Sequence, residues 1–180
     1  VAQACPLMHK AYEWVAHSAV RNRGTLCGNL CHADPASEMP AVALAVGATM
    51  VLRSRAGERR VAASDFFQGI YTTATRADEM LVEVRLPVTP AGQKSGFAEV
   101  SMRRGDFAWA LAAVLLTVSN GRIAQAAIAC AGIADRARSS AARSRHQRLA
   151  PLAGVARSAH ARRGRPARSD LRRLVRPRRP

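Results

Sequence analysis

Arg21-Asn22-Arg23-Gly24-Thr25-Leu26-Cys27-Gly28-Asn29-Leu30-Cys31-His32-Ala33-Asp34-Pro35 is the stretch on which the reading of this chain turns. Gly24 and Gly28 mark a turn-rich segment. A glycine-containing turn can aim successive backbone amides into one concavity, and a Thr hydroxyl adds a donor. That arrangement cradles a pyrophosphate. On these residues alone, an ordinary loop that uses glycine for its turns is the plainer reading. Asp34 followed by Pro35 predicts a helix start, with a side-chain acceptor at the cap and no amide where none is needed. That helix runs through Glu38, Val42 and Val46, and Gly47 closes it in a left-handed conformation. An acid at the helix start repels an anion, so the helix dipole is no part of the cradle.

Upstream, residues 6–19 predict a helix, with Pro6 in its first turn and Leu7, Ala11, Trp14, Val15 and Ala19 on one stripe. Downstream, residues 49–53 read as a strand. Ala56-Gly57-Glu58 turns it, and residues 60–62 return. Ser64-Asp65 starts a short helix anchored by Phe66 and Phe67. Residues 78–86 read as a strand with Val82, Val84 and Leu86 on its apolar face. Pro87-Val88-Thr89-Pro90-Ala91-Gly92 is a boundary. Beyond it, residues 96–103 alternate as a strand, and Asp106 opens an apolar run that reads as a helical turn. Residues 115–119 and 122–130 flank Asn120-Gly121, a dipeptide suited to the positive backbone angles of a tight hairpin. The fold class is α+β, antiparallel sheets with helices on their faces.

The formal net charge of +16 suggests an anionic partner, but its distribution says otherwise. Residues 1–135 carry 13 basic and 11 acidic side chains, whereas residues 136–180 carry 15 arginines against Asp170 alone. Arg and Ala supply 24 of those last 45 residues, too little apolar surface to offset ordering entropy, and disorder is expected there. A nucleic-acid arm is one explanation. A shifted reading frame in a G+C-rich gene is the other, and it accounts better for the abrupt loss of most residue types after Asp135. Opening at Val1 fits a start within a longer protein. Cys5, Cys27, Cys31 and Cys130 form no disulfide framework, which points to free thiols in a reducing cytoplasm. Cys27, Cys31 and His32 lack a second ligand pair at zinc spacing, so no metal site is assigned. The apolar run 107–118 is too short for a transmembrane helix, and no membrane span is expected.

Taken in order, Arg21 to Leu30, His32 to Ala41, Ser64-Asp65-Phe66-Phe67-Gln68-Gly69, residues 78–87, Phe97-Ala98-Glu99-Val100 and Arg103-Arg104-Gly105-Asp106-Phe107-Ala108 resemble the FAD-binding medium subunit of the molybdenum hydroxylases, the xanthine dehydrogenase and aerobic carbon monoxide dehydrogenase family. The likeness covers about residues 1–135. It implies the C-terminal part of a PCMH-type FAD-binding domain over residues 1–90. A partial flavoprotein C-terminal domain of the carbon monoxide dehydrogenase type would cover 91–135, and the Arg/Ala-rich tail 136–180. It implies an oxidoreductase subunit that takes electrons from iron–sulfur clusters and passes them to an external acceptor. The 2Fe-2S clusters and the molybdenum cofactor would sit on a small and a large partner subunit, with nucleic acid not expected. By the same resemblance Thr25, Cys27, Gly28 and Asn29 wrap the FAD pyrophosphate and ribityl region, Glu38 bonds the flavin, Leu81 packs near the isoalloxazine ring, and Asp34 adds a polar contact. No residue is implied as a catalytic acid, base or nucleophile. Cys27 departs from the family, which has Gly there, and a Cβ raises the cost of positive backbone angles. The family's first glycine-rich loop has no counterpart before Thr25. The alternatives are an inactive truncated remnant, or a basic protein binding nucleic acid through its tail.

Overall fold

The computed structural model describes residues 1–143. The first expected helix is two pieces, α1 (Pro6–Tyr12) and α2 (Ser18–Arg21). Ala16 between them sits at φ 45°, a left-handed angle that no α-helix continues through. Leu7, Met8 and Ala11 of α1 are buried, whereas Trp14 turns to Phe97, with ring centroids 6.4 Å apart.

The quoted stretch corrects the loop reading. Leu26–His32 is a helix, α3, capped by Thr25, whose hydroxyl accepts the Gly28 amide at 3.0 Å. Ala33 at φ 51° ends it. Asp34 is not the cap of the next helix. Its Oδ1 accepts the Ala36 amide at 2.8 Å in a local turn, and α4 (Glu38–Val46) starts after Ser37. Gly47, at φ 68°, ends α4 as expected. Nearly every residue of α4 is buried, so it is a core helix rather than an amphipathic one.

β1 (Thr49–Ser54) and β2 (Gly57–Ala62) form the expected hairpin, and β5 (Met80–Arg85) pairs with the other edge of β1. Here the apolar-face assignment is corrected. Val51 pairs with Glu83 and Leu52 with Leu81, so Val82 is an extra residue in a bulge. Leu81 is therefore buried and Val82 is exposed. α5 (Ala63–Phe66) follows β2 and buries Phe66 edge-on against Phe67, and β3 (Phe67–Gly69) and β4 (Thr72–Thr73) make a small ribbon.

The second sheet is an antiparallel meander of β6 (Gln93–Ser101), β7 (Ala108–Ser119), β8 (Arg122–Ala131) and β9 (Arg138–Arg143). Asn120 and Gly121, at φ 51° and 70°, join β7 to β8 in the turn their chemistry favours. The expected helical turn after Asp106 is instead the start of β7. Its alternation puts Leu111, Ala113 and Leu115 against α1 and α4. Order also continues past residue 136, because β9 pairs with β8. An edge strand of small residues needs main-chain hydrogen bonds more than a side-chain core. The remainder of the expected disordered tail lies outside the described residues. Among the described residues, no helix is long and apolar enough to cross a membrane.

Candidate functional site

α3, the turn at Ala33–Ser37, the first turn of α4, residues 15–20 and Arg103, Asp106 and Phe107 of the β6–β7 connection line a cleft of about 660 Å³. Asn29, Asp34 and Glu38 line it. Thr25 borders a small recess of about 50 Å³ that shares Asn29. Cys27 and Gly28 lie on the first turn of α3, whose leading amides have no intrahelical acceptor. Leu81 does not line the cleft. It is buried behind α3, beside Cys31. Thus three of the seven expected residues share the cleft, three sit at the start of the adjacent helix, and one backs it.

The local geometry is tightly specified. The Ser37 hydroxyl donates to the Asn29 side-chain carbonyl at 3.1 Å, tying the two helix starts together. Asp34 is buried, and Tyr71 donates its hydroxyl to Asp34 Oδ2 at 3.3 Å. A Cβ on Gly28 would lie 3.0 Å from the Thr25 hydroxyl oxygen, so a side chain there strains the cap. Cys27 lies within the helix and is not among the positive-φ residues, so its Cβ carries no backbone cost. Gly105 is at φ 91°, and an added Cβ would meet His17 Nδ1 at 2.8 Å. Only glycine lets that connection close over residues 16 and 17.

Sequence reasoning missed Tyr71, His17, Asp106, Arg103 and Glu99. The Arg103 guanidinium grips Asp106 at 3.0 and 3.2 Å, and His17 Nε2 lies 3.4 Å from the same carboxylate. Arg103 and Asp106 stood inside a quoted motif, but nothing in their spacing showed that the pair lines the same cleft as Glu38. Glu38 is 6% exposed, and burial pushes its carboxyl up to about 7, with Glu99 and Asp34 adding repulsion. Both Glu99 carboxylate oxygens are buried without a hydrogen-bond donor among the described residues. Burial raises its pKa too, and nearby Ser101 spends its proton on the Arg103 carbonyl.

Residues 1–89 match the family described as FAD binding domain in molybdopterin dehydrogenase. The chain belongs to the flavin-binding medium-subunit family of the molybdenum hydroxylases. Among its relatives, the caffeine dehydrogenase subunit beta of Pseudomonas sp. strain CBB1 is 46% identical over 131 residues, 72% of this chain and 44% of that protein. The structure matches carbon monoxide dehydrogenase from Hydrogenophaga pseudoflava with a TM-score of 0.75 and 36% identity, over 77% of this chain and 48% of that one. It matches quinoline 2-oxidoreductase from Pseudomonas putida 86 with a TM-score of 0.72 and 43% identity over the same shares. The chain thus spans about half the length of the relatives it matches. The α+β arrangement is that of the flavoprotein chains in these enzymes.

The site fits the family's cofactor. The Leu26 and Cys27 amides, ahead of the Gly28 amide that Thr25 holds, suit a pyrophosphate, and Glu38 and Asp34 are acceptors for sugar hydroxyls. The cleft between the helices and the β6–β7 connection has room for part of a dinucleotide.

Proposed function

We propose that this chain is part of the medium subunit of a molybdenum hydroxylase, with residues 1–90 its FAD-binding part and 91–135 the beginning of its C-terminal domain. Thr25, Cys27, Gly28 and Asn29 hold the pyrophosphate side of FAD. Asp34 and Glu38 take ribityl or ribose hydroxyls, and Leu81 is the apolar backing of α3 on the ring side. Bound FAD supplies the electron-accepting group between an iron–sulfur donor and an external acceptor. The protein's task is to bind and orient it and to set its electrostatics. The clusters and the molybdenum centre belong to a small and a large partner subunit, in the cytoplasm. The observation that carries this reading is the cleft itself: Asn29, Asp34 and Glu38 converge on it while the start of α3 lies alongside.

Titrating the full chain with FAD and following flavin fluorescence tests it. Saturable quenching that resists moderate salt and is lost in Gly28→Asp supports the proposal. Quenching abolished by salt and untouched by Gly28→Asp would assign the flavin to the arginine-rich tail instead.

A further inference from the structure

Cys27 and Cys31 stand one turn apart on α3, both packed against the edge of the core, and only Cys27 belongs to the proposed flavin site. Residues i and i+4 share a helix face, with Cβ atoms about 5–6 Å apart. Both thiols are partly accessible and free, and they sense each other's charge. α3 packs on β5, and Cys31 lies beside Leu81 and Thr75. Burial pushes both thiols up, which disfavours the free thiolates that peroxide chemistry needs. A soft ligand drives deprotonation itself, and bridging two sulfurs removes their mutual repulsion. Among the described residues no cluster of three metal-ligating side chains exists, so the fitting occupant demands two sulfurs only.

We propose that Cys27 and Cys31 form a dithiol site for a soft, thiophilic centre that takes two thiolates at once, trivalent arsenic being the clearest instance. With an organoarsenic oxide, two As–S bonds form and the As–O bond breaks. The oxygen leaves as water carrying both thiol protons, and arsenic stays trivalent. The site needs no bound flavin, although Cys27 is shared with the proposed pyrophosphate side of the FAD site.

The test uses phenylarsine oxide on the full chain, read by intact mass and by thermal unfolding. One adduct per chain is expected, stable to excess glutathione and released by dithiothreitol. It disappears in Cys27→Ser and in Cys31→Ser separately, and it raises the wild-type Tm by several degrees, because the folded helix holds the two sulfurs together. An adduct that survives either single substitution, or that maps to Cys5 or Cys130, overturns the site. So does one that leaves the Tm unchanged or lowers it, since an unfolded segment with two nearby thiols also captures arsenic. Failure of FAD to bind leaves this result unaffected.

Discussion

Replacing Glu38 by Gln removes a buried carboxyl while keeping its shape and its place at the start of α4. The folded-state pKa of about 7 stands above the ordinary 4.5. The native state therefore holds this proton more tightly than the unfolded chain does. The resulting stability is fully present below about pH 4.5 and is lost as pH rises through 7. At about 1.4 kcal/mol per unit, the loss across that window is about 3 kcal/mol. Glu99, whose pKa is also raised, contributes with the same sign, so the variant keeps a residual slope. The histidines are common to both proteins and drop out of the comparison. Urea unfolding of wild type and Glu38→Gln at pH 5 and pH 8 measures the effect. Wild type loses much more stability between the two than the variant does, and at pH 8 the variant is the more stable. Parallel pH profiles would refute the buried, proton-holding carboxyl.

Two further outcomes follow from single contacts. Thr25→Ala leaves the Gly28 amide without its acceptor and costs about 1 kcal/mol, read as a lowered urea midpoint at unchanged slope. Arg59 grips Glu79 at 2.6 and 2.7 Å and holds its carboxyl at about 2. Stability from this pair is present above the ordinary pKa of 4.5 and is lost as pH falls toward 2, so Glu79→Gln flattens the acid limb of an unfolding-versus-pH curve.

Much of the frame was legible because local chemistry and tertiary demand agree there. Gly47 is the left-handed stop of α4, and Asn120-Gly121 takes the two positive angles of a hairpin. Thr25–His32 was misread as a loop because Thr, Gly, Asn and Cys are poor helix formers. Their helix is held by a cap, by Leu30 in the core and by β5 behind it. The bulge at Val82 hid the inward face of β5, since a two-residue period carries no sign of an inserted residue. β9 was missed because an edge strand asks little of its side chains. Within the site, the resemblance picked out Asn29, Asp34 and Glu38, but the places of Glu99 and the Arg103–Asp106 pair emerged only when β6 was folded against α1, beside the start of α4. The proximity of Glu38 to Glu99 and of His17 to Asp106 joins residues about 60 or more positions apart, where no local pattern reaches.

The central claim is that α3 and the first turn of α4 hold FAD. Amide hydrogen exchange of the full chain with and without saturating FAD tests it most directly. Added protection concentrated in residues 25–38, together with the strand carrying Leu81, is the result this account predicts. Protection located elsewhere, with residues 25–38 exchanging as fast as before, would contradict it.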